Sequence, residues 1–291
     1  MSLPPTHIVL SLGILCLLLG SLVINIRLLI RFRKHPVDWN LKGDRLRTQP
    51  WRIQDAVALL LLVVLAQLAS VIPAIVAYEL DWINEHQRTV YAIAVQTIVF
   101  PMVGLAVFLH ISRTRGMCWS ELMLVEDVRP RERIAFGTFC YVGMLIGFAI
   151  LAFANYTILE SLGYQADHQE AVEILLGHNS PAWLKVQLVI ISIVAAPIIE
   201  EIIFRGVALP VCMQRLPVMP ATCIVSLLFA AMHLHVSSFV PLFAVSFAFS
   251  LAYIYSGSLI VPITMHALFN GINILLLFVL GDAPENLLSP P

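Results

Sequence analysis

Long apolar runs separated by short polar stretches set the pattern of this chain. They lie at 8–30, 55–78, 90–111, 134–155, 193–214, 218–235, 239–256 and 258–280. About 20 residues of helix cross the ~30 Å of bilayer hydrocarbon, so each run is long enough for one crossing or close to it. Unbroken stretches such as AVALLLLVVLAQLASV leave no period-two alternation for a membrane barrel. The pattern therefore predicts an all-α, polytopic membrane protein, a bundle of about eight transmembrane helices. The apolar stretch from Trp183 to Met213 is too long for one crossing, and we expect PAWLKVQ, with Lys185, to lie at the outer interface before a helix proper that starts near 193.

Composition agrees with a membrane protein: 59% of the 291 residues are hydrophobic, 12% are charged, and mean hydropathy is +0.89. Charge adds an orientation. Of 17 Lys and Arg, eight fall from Arg27 to Arg52, and Arg113, Arg115, Arg129, Arg131 and Arg133 fall in the connector after the third run. Short basic loops stay on the cytoplasmic side, which predicts both termini outside; the membrane is the plasma or inner membrane if the cell is bacterial. MSLPPTHIVLSLGILCLLLG lacks the basic start of a cleavable signal and reads as a retained first helix. The net charge of −1 argues against a nucleic-acid partner, and the basic first connector is placed to meet the headgroups of the lipid bilayer. Cys16, Cys140, Cys212 and Cys223 fall in runs and Cys118 in a connector, with no disulfide framework. We divide the chain into residues 1–182, four membrane helices with basic connectors; 183–280, a four-helix core carrying the reactive groups; and 281–291, a short exposed tail, together one integrated membrane domain.

The reactive groups acquire a pattern once helical geometry is imposed. Glu201 and Arg205, four residues apart, share a face with the acid on the N-terminal side, the favoured order for an ion pair. Glu200 lies about 100° round the helix and points elsewhere. FAAMH sets Phe229 one turn before His233, and HALFN sets His266 one turn before Asn270. With the helix proper ending near Arg215, and at 1.5 Å per residue, Glu200, His233, Asn270 and His266 lie roughly 22, 21, 18 and 12 Å from the cytoplasmic edge, which suits one shared site; a span that began at Trp183 would put Glu200 close to the cytoplasmic face and take the constellation apart.

Each group also has a structural reading. Glu201 with Arg205 is first a buried charge pair, while Glu200 has no second base near it in sequence. A lone membrane histidine or asparagine commonly ties helices together, and Phe229 reads as packing that presents His233. His235 reads as interfacial; Asp167, His168, Glu170, Glu173 and His178 read as a solvated outer loop. The combination says more. A carboxylate in an apolar pocket is a stronger base, so Glu200 is suited to take a proton from a water held against His233. His266 and Asn270 are suited to donate to the oxyanion that forms. Neither HExxH, GxSxG nor CxxC occurs. A transporter would also carry charges at mid-membrane, but shows repeats that are missing here. A non-catalytic immunity or scaffold protein would keep the same residues without turnover.

EEIIFR, FAAMH and HALFN, complete and in this order, resemble the motifs EExxxR, FxxxH and HxxxN of the CAAX-processing and bacteriocin-processing membrane endopeptidases, the CPBP or Abi family. The resemblance covers about residues 183 to 275. It implies a helical bundle with an intramembrane site, a peptidase in which Glu200 and His233 activate water, and oxyanion duty for His266 and Asn270. It implies a membrane-associated protein or peptide as substrate; eukaryotic members cut the terminal tripeptide from prenylated CAAX proteins, while many bacterial members act elsewhere. The family is often labelled metalloprotease, and a metal-free, glutamate-dependent mechanism is also proposed for it. Zinc is the metal that Glu200, His233 and His266 would suit, although the i, i+4 ligand pair that usually secures it is missing.

Overall fold

The computed structural model describes residues 5–116, 129–164, 170–177 and 180–281. Cys118, Asp167, His168, His178 and the tail from 282 lie outside the described residues, as does the side chain of Glu170. The helices are α1 (Pro5–Lys34), α2 (Trp39–Arg47), α3 (Ile53–Glu79), α4 (Glu85–Arg115), α5 (Pro130–Ser161), α6 (Glu170–Leu176), α7 (Ala182–Met213), α8 (Val218–Ala231), α9 (Val236–Ser256) and α10 (Ile260–Gly281). No strand occurs among the described residues. Seven of these helices are long and apolar enough to cross a membrane, and α8, at 14 residues, is a shorter apolar helix.

Polarity is turned inside out, as lipid requires. Leu12, Leu15 and Leu29 of α1, Leu61 and Leu65 of α3, and Ile150 and Phe153 of α5 are exposed, while Glu201, Arg205 and His266 are buried. Water would penalise that outer surface heavily and hydrocarbon does not. The chain is an integral, multi-pass membrane protein.

The chain forms two compact units. One holds α1, α2, α5, α8, α9 and α10 as far as Met265. Here small and polar residues join the helices, the common device where burial of apolar surface drives nothing. Ser21 Oγ and Asn25 Nδ2 of α1 donate to the carbonyl of Gly143 in α5 at 3.0 and 2.6 Å. Asn155 Nδ2 of α5 reaches the Ser237 carbonyl of α9 at 2.9 Å. At Gly137 a Cβ would stand 2.8 Å from the Val261 carbonyl oxygen, so only glycine lets α5 approach α10 this closely.

The other unit holds α3, α4, α6, α7 as far as Val211, and α10 from His266. Asn84 caps α4 and exchanges bonds with Gln87, a capping box that starts the helix right after the α3 turn. Ile93, Ile174, Leu175, Leu184 and Leu188 form an apolar core. Gly104 of α4 lies against Ile199 of α7, where a Cβ would come within 2.6 Å of the Ile199 side chain. That contact sets α4 beside the glutamates.

Three element boundaries differ from the sequence reading. α7 begins at Ala182, not near 193, and runs unbroken for 32 residues, so Lys185 lies within the helix. At 1.5 Å per residue it is about 48 Å long, more than the ~30 Å of hydrocarbon; such a helix tilts or extends past the apolar layer. The helix expected over 218–235 ends at Ala231, and α9 starts at Val236 with Ser237 and Ser238 in its first turn. The extended backbone of His235, at the cap position, separates the two helices, so the apolar run alone misplaced that border. His233 consequently sits in the turn between α8 and α9.

Candidate active site

EEIIFR lies in the middle of α7, where the helix widens at two places; its glutamates fall between them and residues 202–205 lie in the second. Ile191–Ala195 and Ile202–Ala208 are π-helical. Each widening ends directly before a proline. Ala196 N–H bonds to Ile191 O and Leu209 N–H to Phe204 O, both five residues back; the next residues are Pro197 and Pro210. A proline ring inside an α-helix collides with the carbonyl four residues earlier, and an added residue in the preceding turn carries that carbonyl away. Such π-turns are frequent at functional sites. The sequence reading missed them; the signal was a proline at two points in an apolar run that otherwise continues.

Glu201, just before the second widened turn, and Arg205, within it, are wholly buried. Arg205 Nη1 donates to Glu201 Oε1 at 2.9 Å, and His266 Nδ1 donates to the same oxygen, also at 2.9 Å. A carboxylate only accepts, so Nδ1 carries a hydrogen and the ring orientation is fixed from that side. His266 Nε2 is left facing Glu200, with Oε2 at 3.9 Å, beyond hydrogen-bond range. The Glu200 side chain is 21% exposed, yet its Oε2 is shut from solvent and has no hydrogen-bond partner among the described residues. An unpaired buried carboxylate oxygen is costly, and Glu201 Oε2 shares that condition. Asn270, one turn beyond His266 on α10, donates Nδ2 to the Ser192 carbonyl at 2.7 Å.

FAAMH belongs to the other unit. Phe229 is buried and His233 exposed, their rings tilted with centroids 4.8 Å apart. α8 ends here, with His233 N–H bonded to Ala230 O at 3.2 Å. The Phe229 carbonyl, one of the last four of the helix, then has no α-helical donor. His233 Nδ1 donates to it at 2.8 Å. A carbonyl cannot donate, so Nε2 of the neutral ring is the acceptor, with no hydrogen-bond partner among the described residues. Leu234 follows with φ +51, a left-handed backbone that is uncommon for leucine. His235 Nδ1 contacts Ser238 Oγ at 2.6 Å, which ties it to the start of α9. Glu173 of α6 is exposed.

Within the unit that holds Glu200, Glu201 and His266 the donors are too few for a zinc site. Zinc needs three or four converging ligands, and among the described residues no three His, Cys, Asp or Glu side chains are disposed to hold a metal ion. One oxygen of Glu201 is committed to Arg205 and His266, which leaves Glu200 and His266 Nε2 facing each other.

Residues 181–272 match the model of a known family, described as Type II CAAX prenyl endopeptidase Rce1-like. The match takes in Glu200, Glu201, Arg205, Phe229, His233, His266 and Asn270, and agrees with the resemblance carried by the three motifs. Neither the curated proteins nor the solved structures contain a match.

Proposed function

We propose that this chain, with its Rce1-like segment, is an intramembrane endopeptidase that hydrolyses a peptide bond of a membrane-associated protein or peptide, in CAAX-type processing or a related reaction. The observation that carries this reading is the buried, unpartnered oxygen of Glu200 beside His266 Nε2, inside a segment that matches an endopeptidase family.

In the proposed mechanism Glu200 takes a proton from water while the oxygen attacks the scissile carbonyl. His233 enters from its motif and from its acceptor Nε2, which suits it to accept a hydrogen bond from the water's other hydrogen, which stays on the attacking oxygen. The oxyanion draws on two donors. One is His266, whose Nε2 donates when the ring is doubly protonated; the other is the second amide hydrogen of Asn270. As the tetrahedral centre collapses, Glu200 returns its proton to the leaving amine, so protons balance and the base is regenerated. Glu201 and Arg205 hold His266 and do not touch substrate. The thirteen basic residues of two connectors support cytoplasmic placement of those loops, with both ends of the chain outside.

The test uses purified protein in detergent with a prenylated CAAX peptide and its unprenylated twin. Glu200→Gln keeps the shape but cannot take up the proton, and we expect cleavage to vanish with the melting temperature nearly unchanged, since an amide is cheaper to bury than a carboxylate. A Glu200→Gln protein that keeps most of its rate overturns the mechanism. Loss of activity on chelation, restored by one equivalent of zinc, would move the assignment to a metal site. Orientation is tested by cysteine labelling at residues 40 and 170 in intact cells: residue 170 should react from outside and residue 40 should not.

A further inference from the structure

Within the Ile191–Ala195 turn, the Ser192 carbonyl loses both donors that a helix would bring it. The α-helical donor, Ala196 N–H, is taken by Ile191 O. The π-helical donor would be residue 197, a proline with no N–H. The hydrogen bond that this oxygen does accept comes from another helix: Asn270 Nδ2, at 2.7 Å. Gly271, the next residue, faces Ile193 of the same turn, with a Cβ placed 3.7 Å from its side chain. α10 thus packs on the widened turn and supplies the donor that the turn is missing.

The register of that turn governs where the glutamates point. A π-turn holds one residue more than an α-turn, and one residue is about 100° of helix rotation. That is also the angle between Glu200 and Glu201. If the turn reverted to α geometry, everything beyond it would rotate by one position relative to the start of α7, and a neighbouring side chain would take the direction of Glu200.

We propose that Asn270 is a positioning residue that locks the Ile191–Ala195 π-turn through Ser192 O, and so holds Glu200 in the direction required for catalysis. This rests on the reading of Glu200 as the water-activating base. It adds a second duty to Asn270, since an amide has two hydrogens and the lock uses one.

The test is a double-mutant cycle between Asn270→Ala and Pro197→Ala, read by melting in detergent and by kcat and KM on a cleaved peptide. Pro197→Ala restores a backbone N–H that can reach Ser192 O, so the lock becomes partly redundant. With Pro197 present, Asn270→Ala should lower the melting temperature and cut kcat on the order of 10²-fold with KM little changed. In the Pro197→Ala background both penalties should shrink, kcat loss to about tenfold or less, because contacting groups are non-additive. Equal melting penalties in the two backgrounds would overturn the lock. A smaller melting penalty beside an equal kcat penalty would confine Asn270's effect on catalysis to the oxyanion and overturn positioning. Should no peptide be cleaved by the unmodified protein, the proposed function fails, while the melting cycle still decides whether the lock exists.

Discussion

Glu201, Arg205 and His266 are buried and tied to one another, with one carboxylate oxygen accepting from both basic side chains. His233 is exposed at a helix end, with one ring nitrogen engaged and the other without a partner among the described residues. Both regions carry polar groups of the three motifs, yet the first is a buried cluster bonded to itself through one carboxylate oxygen and the second is a ring at the surface. A buried charge left without its partner costs far more than an exposed ring does, so substitutions in the two regions should fail in different ways. Stability should register the first, and turnover the second.

The largest effect expected is at the exposed ring. His233→Ala should reduce turnover by roughly 10²–10⁴-fold, the range for losing a positioned acid or base, with only a small shift in melting temperature. A large melting shift, or a rate within about tenfold of the unmodified protein, would erase the contrast.

Next comes Arg205→Ala, which leaves the Glu201 carboxylate buried without its cation. We expect a loss of about 3–5 kcal/mol, read as a fall in melting temperature and in yield of folded protein. Joining Arg205→Met to Glu201→Gln removes both charges and keeps an acceptor for His266 Nδ1. Part of the lost stability should return. A double variant no better folded than Arg205→Ala would show that the pair is not the stabilising unit.

The smallest effect concerns the backbone beside His233. Leu234 is 87% exposed at φ +51, so Leu234→Gly gives up little packing and removes a strain of roughly 1 kcal/mol. Melting should stay level or rise slightly. A clear fall would mean that the leucine side chain, not the turn, holds His233 in place.

The parts of this arrangement legible in the sequence are those that depend on local spacing. Unbroken apolar runs located α1, α3, α4 and α5 to within several residues, because hydrocarbon sets a minimum length. The i, i+4 spacing of Glu201 and Arg205 already put them on one face. The bond from His266 to Glu201 spans 65 residues, and helix-to-helix register leaves no periodic trace in a chain that is apolar all round. The π-turns were hidden for a related reason: a slip of one residue shows in a sequence only where polar positions mark a face, and α7 has few. Pro197 and Pro210 were the remaining signal. The end of α8 at Ala231 had no marker, since leucine occupies the left-handed position where glycine usually announces a stop.

The link between α1 and α5 has a temporal side. Asn25 donates to a carbonyl 118 residues further along the chain. At synthesis rates of about 5–20 residues per second, that acceptor emerges roughly 6–24 s later. During this interval the first helix must reside in the bilayer with its amide satisfied locally, and the 2.8 Å bond from the same nitrogen to the Ser21 carbonyl, one turn back, offers such an interim partner. Biogenesis of the first span would then keep one hydrogen of the Asn25 amide on its own backbone and hold the other for a helix that has not yet been made.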